Sequence, residues 1–373
     1  MAQTVTPKAT GEYKVGTTVF SIWDRSRKEK LGPEAGTRDR RILVRLYYPV
    51  LPEAVEGCPE AVLLSQNKLK AIFRTFNLPG KVDGDATEEF YQDVPAVPGR
   101  KFPLIVYSHG LGAYAEANNY LCMELCSHGY VVAALGHPYE SAMNEYEDGT
   151  EDLFDKGCMK RVYEPYWGGV FKLMKLLRNH KGTWQEQYDR FNEFQSKYCR
   201  FLSELVKERR KDVTAVTDEL MIRFPDRIDF NAGIGITGHS LGGVTAYDVC
   251  HHDDRFTCGI NIDGLLAGNY EGLVMKKPFC QISCEENTLL ETRSMLNTEA
   301  PAYWEVFKNM KHHGFCDMKF YVPVKAVTGK MDPMMLHEYQ SRIHLGFFDM
   351  YLKNTGDDSF LIDDGNVMRY DKR

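Results

Sequence analysis

No run of 18 apolar residues occurs in the chain, so no transmembrane helix is expected. The opening residues Met1–Lys8 lack an apolar h-region, so no signal peptide is expected there, and Ala2 rules out N-myristoylation. Basic charge is not in excess. The 46 Lys and Arg against 52 Asp and Glu leave a net charge of −6, which argues against nucleic acid as a partner. The one basic cluster, Lys207–Lys211, reads as the solvated face of a helix. Internal repeats and low-complexity segments are missing, which excludes solenoid and linker architectures. Ten cysteines are present, but no Cys/His set has zinc spacing, so no metal is expected. Cys250, Cys258 and Cys280 fall in apolar elements and read as reduced core residues. A cytoplasmic location is therefore expected, although a secreted chain that had lost its leader would read the same way.

What is present is an ordinary globular composition, 43% hydrophobic and 26% charged. At 373 residues the chain is long for one domain, but α/β folds reach this length with insertions. A single domain over 1–373 is the expectation. Tyr13–Phe20 and Arg41–Pro49 are rich in β-branched and aromatic residues and predict two antiparallel edge strands. A helix is expected around Leu64–Asn77. Phe102–Tyr107 is a near-continuous apolar strand, followed by a helix over Ala117–Ser127 and a strand over Gly129–Ala134. That is a βαβ unit in about 35 residues. Residues 139–222 break the rhythm. Helices are predicted at Leu173–His180, Trp184–Arg210 and Val213–Phe224, amid Tyr139, Tyr146, Tyr163, Tyr166, Trp167, Trp184, Tyr188 and Tyr198. This segment is the natural candidate for a cap or lid, with a plain connecting helix pair as the alternative. Strands then follow at Thr257–Gly264, Pro278–Glu286 and Tyr303–Phe307, and a helix at Ile343–Lys353 closes the chain.

The most informative stretch is 232–250. The apolar run Ile234-Gly235-Ile236 meets Gly238-His239-Ser240-Leu241-Gly242, and a helical pattern starts at Gly243. Gly-x-Ser-x-Gly between a strand and a helix is the setting of a nucleophile elbow, the turn that lifts a serine hydroxyl above a sheet edge. Glycines flank the serine because side chains there would crowd the turn. The expected architecture is an α/β-hydrolase fold: a mostly parallel central sheet, helices on both faces, and a helical insertion before the nucleophile strand.

A serine nucleophile needs a base, and the base needs an orienting carboxylate. Downstream of Ser240, the histidines at a strand end are His312 and His313, with His312 preferred. The acid is Asp263, at the tip of the next strand and 23 positions after the serine, or else Glu285 or Glu286 one strand later. A carboxylate at a strand tip can also serve only as a helix cap. Oxyanion donors are expected from the N–H of Leu241 and from His109-Gly110-Leu111-Gly112, where glycines flank the Leu111 N–H.

Several stretches together resemble the platelet-activating factor acetylhydrolase family, of the plasma and type II intracellular kind. They are Tyr107–Ala113, Ser127–Ala134, Arg45–Pro49, the elbow Gly238–Gly243, the Asp 23 residues beyond its serine, and His-x4-Asp at His312–Asp317. The resemblance implies Ser240, Asp263 and His312 as triad and Leu111 and Leu241 as oxyanion donors. It covers roughly 40–50, 100–135 and 225–350. One departure stands out: Gly136-His137-Pro138-Tyr139 replaces the family's usual Glu-His-Arg-Asp. Residues 139–222 carry no resemblance, and substrate choice resides in such segments.

The expected activity is serine ester hydrolysis through an acyl-enzyme, without metal or cofactor. Short acyl esters are the expected substrates, including phospholipids with an acetyl or oxidised short chain. Esters of aromatic, plant-derived or polyester type are the alternative. A catalytically silent binding protein is the remote one.

Overall fold

The structure, a computed structural model, describes residues 6–78, 80–163, 175–176, 181–268, 270–322 and 324–372. By its internal contacts the chain divides into two compact units.

One unit comprises Pro7–Asp155 and Asp212–Ile234. Its elements in chain order are β1 (Lys14–Lys28), β2 (Asp39–Val50), β3 (Ala61–Leu64), α1 (Gln66–Thr75), β4 (Ala86–Glu88), β5 (Tyr91–Gln92), β6 (Leu104–Ser108), α2 (Asn119–Ser127), β7 (Val131–Gly136), β8 (Met143–Glu145) and β9 (Glu151–Leu153). The principal strands are ordered β6-β7-β2-β1-β5. β6 and β7 pair in parallel, joined through α2 in the expected βαβ unit. Every residue of β6 and β7 is buried, as the unbroken apolar runs require of strands covered on both faces.

β2 is not an edge strand. It pairs antiparallel with β1 on one side and β7 on the other, and Arg40–Val50 are all buried. Leu43, Arg45 and Tyr47 share one face of this strand, and Arg45 is buried with the rest. That arginine is buried because Glu116 accepts from its Nε (3.0 Å) and from Lys68 Nζ (2.6 Å). The β8–β9 hairpin went unanticipated. Its strands are three residues long, too short for a periodic signal, and its turn closes through Tyr146 N–H to the Thr150 carbonyl (2.9 Å).

The other unit is built from Lys156–Lys211 and Gly235–Arg373. It contains α3 (Lys156–Tyr163), α4 (Trp184–Tyr198), the start of α5 (Arg200–Arg223), β10 (Ile234–His239), α6 (Leu241–His252), β11 (Phe256–Ile262), β12 (Phe279–Cys284), α7 (Arg293–Leu296), β13 (Ala302–Phe307), α8 (Met318–Tyr321), α9 (Lys325–Thr328), α10 (Pro333–Leu352) and β14 (Val367–Lys372). Strand order is β10-β11-β12-β13-β14. β11, β12 and β13 run parallel, and β14 closes the row antiparallel to β13. β14 was missed because Val-Met-Arg-Tyr-Asp-Lys is mostly polar, as suits an edge strand.

The helix expected over Trp184–Arg210 is two helices. α4 begins at a capping box, with Thr183 Oγ1 accepting from Glu186 N–H and the Glu186 carboxylate from Thr183 N–H. It ends at Cys199, and α5 then runs unbroken through the helix expected separately from Val213. No proline or glycine interrupts Arg200–Arg223. α10 starts ten residues ahead of its expected position, where the Asp332 carboxylate caps Met334 and Met335 N–H and Pro333 takes the first turn. Most of the helix expected at Leu173–His180, together with Tyr166, Trp167 and the side chain of Tyr163, lies outside the described residues.

Candidate active site

Ser240 sits on the turn between β10 and α6 with φ 58° and ψ −124°. A side chain at such a φ is strained, and it persists only where the surroundings enforce it. They do here. The Ser240 N–H donates to the Ile262 carbonyl (2.8 Å), and the Ser240 carbonyl accepts from Gly243 N–H (2.9 Å). Gly243 is required, since a Cβ there would lie 1.8 Å from Asn261 Oδ1.

His312 lies in the turn His312–Phe315 that follows β13. Its Nε2 is 2.9 Å from Ser240 Oγ, and its Nδ1 is 2.7 Å from Asp263 Oδ2. Asp263 is buried at the end of β11, also at positive φ (53°). Its carboxylate can only accept from Nδ1–H, which leaves Nε2 as the acceptor facing the serine hydroxyl. Three more donors hold the carboxylate in place: Cys284 N–H to Oδ1 (2.7 Å), the Cys284 thiol to Oδ2 (3.5 Å) and Asn287 Nδ2–H to Oδ2 (2.8 Å). All three side chains belong to one unit. The arrangement can deprotonate a serine hydroxyl and stabilise the imidazolium that results.

The other candidates stand elsewhere. Glu285 and Glu286 are exposed. Glu285 accepts from Asn309 N–H (3.2 Å), and Glu286 pairs with Lys311. His313 is exposed, its ring centroid 5.2 Å from that of His312; the ring that meets both Ser240 and Asp263 is His312. Leu241 is the first residue of α6, where a backbone N–H has no acceptor within the helix. Leu111 belongs to the other unit, in the loop after β6. That loop is pinned by Gly112 N–H to the Glu140 carbonyl (2.8 Å) and by His109 Nδ1–H to the Gly110 carbonyl (2.6 Å).

Sequence reasoning missed Asn287, Asn261 and His239. Asn261 and Gln281 carried a usable signal, because amides inside apolar strands must find partners. Asn261 Nδ2–H donates to Gln281 Oε1 (2.9 Å) and to the Gly264 carbonyl (2.7 Å).

His137, in the departure at 136–139, is the middle of a second Ser-His-Asp line. Ser108 Oγ lies 2.9 Å from His137 Nε2, and His137 Nδ1 lies 2.8 Å from Asp212 Oδ2. All three are fully buried, so this line cannot meet an ester. Arg40 donates to both Asp212 oxygens (2.8 and 2.7 Å) and also meets Glu29 and Glu140, while Arg27 adds a further donor to Asp212. Burial alone would raise the Asp212 pKa; the Arg40 guanidinium overrides it and holds the carboxyl well below its usual range.

No group of three metal-ligating side chains occurs among the described residues, and no helix among them is long and apolar enough to cross a membrane. The family described as platelet-activating factor acetylhydrolase, isoform II, matches residues 1–353. The chain belongs to that family. It is a family of carboxylic ester hydrolases, and the fold is the α/β-hydrolase fold. The platelet-activating factor acetylhydrolase of Cavia porcellus is 25% identical over 375 residues, covering 94% of this chain and 78% of its own length. That of Canis lupus familiaris is 30% identical over 272 residues, covering 69% of this chain, which spans only 54% of that relative. Among solved structures, a ferulic acid esterase from Streptomyces cinnamoneus superposes with a TM-score of 0.73 at 21% identity, over 97% of this chain and 98% of that one. At that identity the likeness speaks for the fold alone.

Proposed function

We propose that the chain hydrolyses carboxylic esters through an acyl-enzyme on Ser240. The observation that carries this is the unbroken line Ser240 Oγ–His312 Nε2 (2.9 Å) and His312 Nδ1–Asp263 Oδ2 (2.7 Å). His312 takes the Ser240 proton as the oxygen attacks the ester carbonyl, then passes it to the departing alkoxide. In the second half His312 deprotonates water, which releases the acid and restores the serine. Asp263 fixes the tautomer throughout. The Leu241 N–H, at the positive end of α6, is assigned to the developing oxyanion. The Leu111 N–H is the second donor assigned on sequence grounds.

Short acyl esters, phospholipids bearing an acetyl or oxidised short chain among them, are the proposed substrates. The family match and the relatives' names support this reading. Part of 139–222 is assigned a capping role. Gln195 on α4 accepts from Gly268 N–H (2.7 Å), and Tyr188 on α4 accepts from Arg293 Nη1 (2.6 Å). α4 therefore rests on the segments that follow β11 and β12, the strands whose ends supply Asp263 and lead to Asn287. A cytoplasmic location is part of the proposal, supported by ten free thiols, eight of them buried.

A series of p-nitrophenyl esters from acetate to palmitate, with methyl ferulate alongside, tests the substrate class. A capped acyl site loses about 1–3 kcal/mol once added methylenes cannot be housed. The expected kcat/KM therefore peaks at a short chain and falls at least tenfold by decanoate. A flat profile out to palmitate, or a preference for ferulate, would overturn the short-acyl assignment.

A further inference from the structure

His239, the residue before the nucleophile, ends β10 and is buried. Its Nε2 lies 2.9 Å from the main-chain oxygen of His312. A carbonyl can only accept, so His239 is the donor and carries its proton on Nε2. Its ring also packs against the His312 ring, with centroids 4.8 Å apart and planes inclined at 33°. The dipeptide His239-Ser240 thus meets His312 at three points: the serine hydroxyl on Nε2, a donor on the backbone carbonyl, and a ring against the imidazole.

His312 needs such bracing. Its turn, His312–Phe315, is a single short coil, and the ring is half-exposed. Asp263 controls one ring nitrogen but not where the backbone stands. We infer that His239 is a positioning residue for the base: its Nε2–H anchors the His312 main chain so that Nε2 of His312 stays aligned on Ser240 through both half-reactions.

Burial, reinforced by His312 and His313 nearby, holds the His239 pKa well below that of a free imidazole. A neutral ring beside His312 suits the imidazolium of the reaction, which a charged neighbour would repel. The inference rests on the assignment of His312 as base. It adds that the first variable position of the elbow motif is part of the same device.

The test compares His239→Leu, which keeps much of the volume without a donor, with His239→Gln, whose amide N–H reaches a similar position. His312→Ala serves as the control for the assignment itself. A displacement of about 1 Å in a catalytic group can cost on the order of 100-fold. On p-nitrophenyl acetate, His239→Leu is expected to lower kcat about 10- to 100-fold with KM within roughly twofold, and His239→Gln to regain most of the loss. Thermal melts of both variants separate misfolding from misalignment. Wild-type kcat in His239→Leu, or equal losses in the Leu and Gln variants of matched stability, overturns the inference. If His312→Ala retains activity, the assignment of the base fails instead.

Discussion

Gly264 is pressed against the nucleophile turn: a Cβ added there would stand 2.2 Å from the Ser240 carbonyl oxygen and 2.6 Å from Asn261 Oδ1. The residue after the acid and the serine itself therefore share one packed contact. Asn261 ties it together, accepting from Gly264 N–H (2.9 Å) and donating to the Gly264 carbonyl (2.7 Å). The positive φ of Ser240 and of Asp263 belongs to this single piece of backbone.

Gly264→Ala is therefore expected to push the two turns apart. Overpacking of this kind costs roughly 1–3 kcal/mol, and the serine should lose its alignment with His312. Urea denaturation and p-nitrophenyl acetate turnover would both register the change. Wild-type values in both would mean that the turns adjust freely.

The acid is tested by comparing Asp263→Asn with Glu285→Gln. Losing the orienting carboxylate costs about 10⁴ in kcat, and this is expected only at Asp263. A crippled Glu285→Gln beside an active Asp263→Asn would move the acid one strand along.

Asp212→Asn should be a stability variant. Removing one partner of a buried ion pair costs roughly 3–5 kcal/mol, since Arg40 and Arg27 would lose the carboxylate they meet. The folded pKa of Asp212 is depressed, so its contribution is present above the unfolded carboxylate value and lost as pH falls through the folded one. The gap between wild type and variant in urea should be wide at pH 7, start to narrow only below about pH 4, and close well below it. An equal gap at both pH values would mean that the asparagine acts through packing.

Glu305 works in the opposite sense. It is buried in β13, and burial pushes its pKa up to about 8 against the pull of the Ile362 N–H, Arg369 and Arg342. A raised folded pKa gives stability that is full below the unfolded value near 4.5 and lost as pH rises toward 8. Glu305→Gln should match wild type near pH 5 and exceed it at pH 8.5. Melting curves that keep the same spacing across that range would contradict this.

Much of this was legible in the sequence because the signals were local. Ser240, its flanking glycines and the strand before it lie within ten residues, and the apolar runs of β6, β7 and β11 announce strands buried on both faces. Asp263 and His312 could be narrowed to strand ends but not chosen outright, since choosing them needs distances across 49 and 72 residues. What stayed hidden depends on long-range partners. The burial of Arg45 depends on Glu116 and Lys68, and the line from Ser108 to Asp212 joins residues far apart in the chain. The break at Cys199 has no proline or glycine to mark it in the sequence.

The central claim is that Ser240 is the acyl-accepting nucleophile, and a fluorophosphonate probe tests it most directly. The probe forms a stable bond only with a serine activated by its base. Intact-mass analysis of the wild-type chain should show one adduct, peptide mapping should place it on Ser240, and Ser240→Ala should remain folded but unlabelled with kcat lowered on the order of 10⁴–10⁶-fold. An unlabelled wild type, an adduct on another serine, or activity within tenfold of wild type in Ser240→Ala would contradict the account.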